Sequence, residues 1–299
     1  MIGPACMNKG IIIKGIGGFY FVASEEGTVR AKGRGAFKKE GLLLTVGDEV
    51  LFTPAEGPED DAVIEKVLPR KNRFHRPPIA NVDLLIVVMA VADPDPNLTV
   101  ADKLLVMAEK NGVRPAVCIS KSDLISPERA EKLADVYRPV YPTVLVSGKT
   151  GAGAEKLKEL ISGIPGTKAA LAGPSGVGKS TLTNLLIPGA SMETGTISGK
   201  TGRGRHTTRH VEIFPCGDGY LFDTPGFTSF DLAGVEEEEL AGCFPEIARL
   251  AEECRFDDCR HMNEPDCAVT AALKDGRLSK SRYSSYVTCL KEIRENKAY

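Results

Sequence analysis

The chain has 299 residues, 42% hydrophobic and 26% charged, with a net charge of -2. That length exceeds one ordinary small core and implies two or three domains, while the near-neutral balance excludes the bulk positive field of a general nucleic-acid binder. The longest apolar run, residues 84–92, falls far short of the roughly 20 residues a membrane span needs, and Ile11-Ile12-Ile13 is too short for a secretory signal, so a cytoplasmic protein with no membrane attachment is expected.

Between residues 9 and 68 the sequence runs in short β-rich stretches, 11–16, 19–23, 28–32, 49–53 and 62–68. Turn signals separate them at Gly17-Gly18, Glu26-Gly27 and Gly47-Asp48. Five strands in about 60 residues predict a small all-β barrel of the oligonucleotide-binding type. Arg30, Lys32, Arg34, Lys38 and Lys39 crowd one stretch on or beside a strand-to-strand loop, where an RNA-contacting surface and a solvated basic loop are both open readings. Residues 69–78 carry five basic residues and three prolines and read as an extended linker at a domain boundary.

Beyond it strands and helices alternate, which predicts a parallel α/β sheet. Residues 82–91 are expected as a strand buried on both faces, 99–110 as a helix stopped at Asn111-Gly112, and 113–119 as the next strand. That strand delivers Ser120-Lys121-Ser122-Asp123, and a strand at 143–146 delivers Ser147-Gly148-Lys149-Thr150. In GTP-binding proteins such strand ends read Asn-Lys-x-Asp and Ser-Ala-Lys. The aspartate accepts hydrogen bonds from guanine N1 and N2, which adenine cannot supply, and the lysine stem packs along the base. Ser120 stands where asparagine is usual, which predicts the loss of a tie to the phosphate loop and a lower nucleotide affinity.

The phosphate loop itself is Gly173-Pro174-Ser175-Gly176-Val177-Gly178-Lys179-Ser180-Thr181, between the apolar run 169–172 and Leu182, Leu185 and Leu186 at helical spacing. Its glycines let backbone N–H groups converge on phosphate oxygens, Lys179 reaches the β- and γ-phosphates, and the Ser180 hydroxyl ligates Mg²⁺ carried with GTP. Downstream, a basic glycine-rich segment holds His206, Thr207 and Thr208, and one of the two threonines is expected to reach Mg²⁺ and the γ-phosphate. Strands at 210–214 and 220–223 follow, the second ending in Asp223, a holder of the Mg²⁺ shell, with the Gly226 N–H sensing the γ-phosphate. Phe227 occupies the place of the water-orienting glutamine of signalling GTPases, which predicts slow intrinsic hydrolysis and makes His206 a candidate to position the water. Because the guanine loops precede the phosphate loop, the domain reads as circularly permuted.

Near the C-terminus, Cys254-x4-Cys259-x-His261-x5-Cys267 offers three thiolates and one imidazole, a closed tetrahedral set for one structural Zn²⁺. Cys6, Cys118, Cys216, Cys243 and Cys289 read as buried or incidental thiols. Helices at 268–273 and 279–295 follow, the second with Tyr283, Tyr286, Leu290 and Ile293 on one face and Lys280, Arg282, Lys291, Arg294 and Lys297 as a solvated surround.

Taken in this order, the features resemble the RsgA family of small-ribosomal-subunit-dependent GTPases, also called YjeQ or YloQ, over nearly the whole chain. The resemblance rests on the barrel and the run Pro69-Arg70-Lys71-Asn72 leading to Arg76-Pro77-Pro78-Ile79-Ala80-Asn81-Val82-Asp83. It rests equally on the permuted motif order, the phosphate loop, the elements at 204–208 and 223–226, and the Cys3His cluster. Arg205 and Arg209, beside the His-Thr-Thr element, depart from the family pattern, as does Ser120. The resemblance implies a late maturation factor of the 30S subunit that hydrolyses GTP to GDP and phosphate under stimulation by that subunit, touches 16S rRNA, and acts as a monomer. The expected architecture is an OB-fold barrel (1–70), a permuted α/β P-loop GTPase domain (71–232) and an α-helical zinc-binding module (233–299). The residues alone leave open a nucleotide-gated adaptor or regulatory switch that does not act on the ribosome. They also leave open an ATPase, against which Asp123 argues.

Overall fold

The N-terminal strands alternate buried and open positions, the period-two pattern of a sheet with one face on a core. In the computed structural model, which describes residues 7–55, 57, 60–187, 211–224, 232 and 234–297, they are β1 (Asn8–Ile16), β2 (Phe19–Ser24), β3 (Gly27–Gly33), the short helix α1 (Gly35–Lys39), β4 (Glu49–Thr53) and β5 (Ala62–Val67). β1 pairs antiparallel with both β2 and β4, β2 with β3, and β4 with β5, while β3 runs parallel to β5, so the ring closes on itself. A register shift between Ile12 and Lys14 bends β1 so that it serves two neighbours, and Ile12, Val22, Val50, Phe52 and Ile64 fill the interior.

Two expectations change here. Residues 69–78 are not an extended linker, because β6 (Arg73–His75) and β7 (Pro78–Ala80) form a hairpin packed against the barrel. Buried Asp48 anchors it, accepting from Arg70 Nε at 2.6 Å and Nη2 at 2.8 Å, while Asn81 accepts from the Lys71 N–H at 2.9 Å and donates to the Gly47 carbonyl at 3.0 Å. A Cβ on Gly47, at φ +95°, would lie 2.1 Å from the Ala80 carbonyl oxygen, so only glycine permits this approach. The second change is one of detail: the crowded cations at 30–34, on the expected strand and beside the loop that follows it, are ion-paired. Arg30 and Lys32 lie on β3 and pair with Asp61, and Arg34 pairs with Glu65 at 3.0 Å.

The rest of the chain alternates as expected: β8 (Leu84–Ala90), α2 (Leu98–Lys110), β9 (Arg114–Ser120), α3 (Pro127–Ala134), β10 (Thr143–Leu145), α4 (Ala154–Ser162), β11 (Lys168–Ala172), α5 (Lys179–Leu186), β12 (Glu212–Cys216) and β13 (Gly219–Asp223). Helices α6 (Glu237–Leu240), α7 (Pro245–Ala251), α8 (Ala268–Lys274) and α9 (Lys280–Lys297) close it. Two compact units result. The first, Met1–Leu84, Leu160–Leu171 and Glu193–Gly226, continues the barrel into β12, antiparallel to β1, then β13 and the parallel β11.

The second unit, Leu85–Glu159, Ala172–Met192 and Phe227–Tyr299, holds the wholly buried β8 beside β9 and β10. The Asn97 side chain caps α2 by accepting from the Val100 N–H at 3.1 Å, and Asn111-Gly112 ends it. Val106 of α2 joins Leu240, Phe244, Ile247, Val269, Tyr286, Leu290 and Ile293 in one apolar cluster. Arg282 corrects the expectation of a solvated basic surround on α9: it is 1% exposed, donates to Asp102 of α2 and to Glu246 of α7 at 2.6 Å each, and lies 4.7 Å from the Phe244 ring centroid. The charge is tolerated inside because two carboxylates and aromatic faces replace its water. Cys118, Cys216, Cys243 and Cys289 are buried, as expected, and Cys6 lies outside the described residues. No helix among the described residues is long and apolar enough to cross a membrane.

Candidate nucleotide site and metal centre

Three strand-to-helix transitions of the second unit converge on a cavity of about 220 Å³ lined by Ser120, Lys121, Asp123, Leu124, Gly148, Lys149, Gly178, Thr181 and Leu182. The lining brings both expected guanine loops against the start of α5. Lys121 takes the left-handed conformation at φ 57°, which turns the chain off β9 into a single 3-10 turn (Ser122–Leu124), and its ammonium donates to the Asp93 carbonyl. Ser122 N–H donates to the Val146 carbonyl at 3.1 Å, tying the two loops together.

Asp123 is held by a short hydrogen-bond relay. Its carboxylate accepts from the Ser147 hydroxyl at 2.6 Å, and that hydroxyl in turn accepts from the Thr150 N–H at 3.1 Å. The Ser147 bond is the main reason the Asp123 carboxyl lies below the usual aspartate range, so it stays an ionised acceptor for paired N–H donors. Ser120 overturns the expected lost tie. The side chain is buried, and its hydroxyl donates to the Val177 carbonyl of the phosphate loop at 2.6 Å, with the Met89 carbonyl 3.2 Å away. A hydroxyl thus makes the link that an amide was expected to make.

The phosphate loop leaves β11 at Gly173, where a Cβ would sit 2.3 Å from the Val88 carbonyl oxygen and φ is +154°. Gly176 and Gly178 also have positive φ, and Val177 is buried as the loop's anchor. Lys179 opens α5 and folds back, donating to the Gly173 carbonyl at 2.7 Å and the Pro174 carbonyl at 2.8 Å. Burial lowers its ammonium to about 8. Pro174, Ser175, Ser180 and Thr181 sit on the exposed or half-buried side of the loop.

Asp223 ends β13 in the first unit, half-buried, and is raised by burial and by the charge of Glu212, its partner across β12–β13. His206, Thr207, Thr208, Gly226 and Phe227 lie outside the described residues.

The metal-ligating residues form a preset cluster. The ligand atoms of Cys254, Cys259, His261 and Cys267 all lie within 4.8 Å of one another. His261 Nδ1 is 3.6 Å from Cys254 Sγ and 3.5 Å from Cys267 Sγ, and those sulfurs are 3.9 Å apart. A tetrahedron with Zn–S of about 2.3 Å and Zn–N of about 2.0–2.1 Å has S···N edges of about 3.6 Å and S···S edges of about 3.8 Å, so the donor set fits zinc in chemistry, and Cys254, His261 and Cys267 fit it in spacing. Burial lowers His261, keeping its ring neutral as a ligand must be.

Sequence reading missed the supports of this cluster. Glu264 accepts from the N–H groups of Arg260, Met262 and Asn263 at 2.7–2.9 Å, stapling the loop between ligands, and the Tyr283 hydroxyl holds the His261 carbonyl at 2.7 Å. An acidic residue between two ligands was the only available signal. Leu124 and Leu182 were also missed as lining; the exposed leucine directly after Asp123 forms an apolar part of the cavity wall.

Residues 67–233 match a sequence family described as RsgA GTPase, and residues 9–63 match one described as RsgA N-terminal domain. A curated relative from Caldanaerobacter subterraneus subsp. tengcongensis is 45% identical over 291 residues, covering 96% of each chain. Another, from Alkaliphilus metalliredigens, is 42% identical over 295 residues, covering 98% of this chain and 100% of that one; both are named small ribosomal subunit biogenesis GTPase RsgA. Among solved structures, YjeQ from Thermotoga maritima is similar with a TM-score of 0.83 and 36% identity over 96% of this chain and 99% of that one. YloQ, described as a circularly permuted GTPase, is similar with a TM-score of 0.81 and 32% identity over 99% and 98%.

Proposed function

The chain belongs to the RsgA GTPase family, and from that premise we propose that it hydrolyses GTP to GDP and phosphate as a late maturation factor of the small ribosomal subunit. The observation that carries the guanine-nucleotide reading is the Ser147-held Asp123 carboxylate facing the same cavity as the start of α5. Asp123 accepts from the guanine edge, the Lys121 and Lys149 stems flank the base, and the turn 173–178 presents its N–H groups to phosphate oxygens. Lys179 then exchanges its two carbonyl partners for the β- and γ-phosphates, recovering the charge that burial opposes.

Mg²⁺, held by Ser180, Asp223 and one of Thr207 or Thr208, would neutralise charge developing between the β- and γ-phosphates. The raised Asp223 carboxyl beside Glu212 supports a cation-holding role. Gly226 senses the γ-phosphate through its N–H, and His206 places the attacking water in the position that Phe227 cannot serve. One Zn²⁺ on Cys254, Cys259, His261 and Cys267 is structural, since four protein ligands leave no open position.

The working domains are the barrel at 1–70, the permuted GTPase domain at 71–232 and the zinc module at 233–299. Barrel and zinc module grip 16S rRNA through phosphates and shape, and the protein works as a cytoplasmic monomer. Sedimentation with purified small subunits tests this. The chain is expected to pellet with them in a non-hydrolysable GTP analogue, less so in GDP and less at high salt; failure to pellet with them under any of the three conditions favours the adaptor reading. Within the mechanism, His206→Ala should abolish most subunit-stimulated turnover, and unchanged turnover removes His206 from it.

A further inference from the structure

Gly148 stands in the base-reading loop where its backbone comes hard against the phosphate-loop helix. A Cβ at this position would lie 2.6 Å from the Thr181 methyl, Cγ2, and 3.5 Å from Thr181 Cβ, and among the described residues, chain neighbours aside, it meets no other atom within 4 Å. Nothing in the backbone requires glycine there, because Gly148 is absent from the positive-φ residues. The methyl of Thr181 is what a larger residue would have to displace. Threonine is β-branched, so two of its three staggered χ1 positions always hold a heavy atom and crowding in a helix restricts escape by rotation.

We propose that Thr181 and Gly148 are a fitted pair that sets the spacing between the base-reading loop and the start of α5, making Thr181 a positioning residue for the nucleotide. The inference rests on the guanine-nucleotide reading above and adds to it a coupling between the two halves of the ligand. Gly148 lies between Ser147, which holds the Asp123 carboxylate at 2.6 Å, and Lys149, which flanks the base. Thr181 follows Lys179 and Ser180, the phosphate and Mg²⁺ residues. Ser120 makes a second, independent link between the same parts through Val177 at 2.6 Å. Any group that pushes Gly148 and Thr181 apart therefore pulls the base reader off guanine while the phosphates stay with α5.

The test is a set of four full-length proteins: wild type, Gly148→Ala, and Gly148→Ala combined with Thr181→Ser or with Thr181→Val. Release of a fluorescent GDP is followed by stopped flow, together with the ratio of GDP to IDP affinity, since inosine lacks the N2 amino group that Asp123 reads. Gly148→Ala is expected to speed GDP release about tenfold, the scale of an overpacked contact, and to lower the GDP-to-IDP ratio. Adding Thr181→Ser removes the methyl and restores most of both losses, whereas adding Thr181→Val keeps it and restores neither. Should Gly148→Ala fold poorly, the same pattern is read in the thermal midpoints of the double variants. Wild-type release and selectivity in Gly148→Ala, or equal behaviour of the two double variants, overturns the pairing; failure of the wild type to hold GDP overturns the guanine-nucleotide reading instead.

Discussion

The metal cluster draws its four ligands from 14 consecutive residues, whereas the nucleotide pocket gathers Asp123, Gly148 and Thr181 from three separate strand-to-helix transitions. In the cluster the donor atoms of Cys254, His261 and Cys267 stand 3.5–3.9 Å apart with Cys259 close by, and local groups such as Glu264 and Tyr283 hold the loop. The pocket is assembled from loops. On one side Ser147 donates to Asp123, and on the other Lys179 donates to the Gly173 and Pro174 carbonyls of its own loop. A short-range site is fixed by its own chain, and a long-range site depends on contacts between loops.

Breaking the cluster should produce the largest effect. Stripping zinc with a chelator, or replacing Cys259 by Ser, removes most of a binding energy of about 10 kcal/mol or more, and the helices of the C-terminal module lose cooperative melting. Circular dichroism with zinc titration checks this, with recovery on adding metal to the wild type only. Arg282→Met sharpens the comparison, because it leaves both sites intact but strips the buried partner from Asp102 and Glu246. A loss of about 3–5 kcal/mol is expected in denaturant melts, the usual cost of a buried charge left unpaired.

On the nucleotide side, Lys179→Ala should weaken GDP binding by about 100-fold or more, the scale of truncating a buried charge partner. The wild-type lysine adds a sign-defined pH dependence. Burial lowers it to about 8, so above that pH the free protein carries it neutral, and phosphate contact must draw a proton back. GDP affinity therefore falls as pH rises through about 8 and binding takes up a proton above it, which calorimetry in two buffers of different ionisation heat detects. The smallest effect belongs to Ser120→Ala, which removes one hydroxyl bond of about 1 kcal/mol and should speed GDP release about fivefold, with Ser120→Thr recovering part of it.

The same contrast explains what was legible in the sequence. Cysteine and histidine spacing pointed to four residues that the fold does bring together, because they lie in one loop. Alternating apolar runs located the five barrel strands and the buried β8 to within a few residues. The residue types of the nucleotide motifs were equally plain. What escaped were contacts between distant segments: Ser120 with Val177, Gly148 with Thr181, and Asp48 with Arg70, which turned a supposed linker into a packed hairpin. Arg282 was misread for the same reason, since helical spacing places a residue on a face but does not say that Asp102, 180 positions earlier, waits there.

The most direct test of the proposed function is the rate of GTP hydrolysis by the purified chain with and without small ribosomal subunits, large subunits serving as the control. Turnover is expected to be slow alone, strongly raised by small subunits and unchanged by large ones; the same rate in all three samples would contradict it.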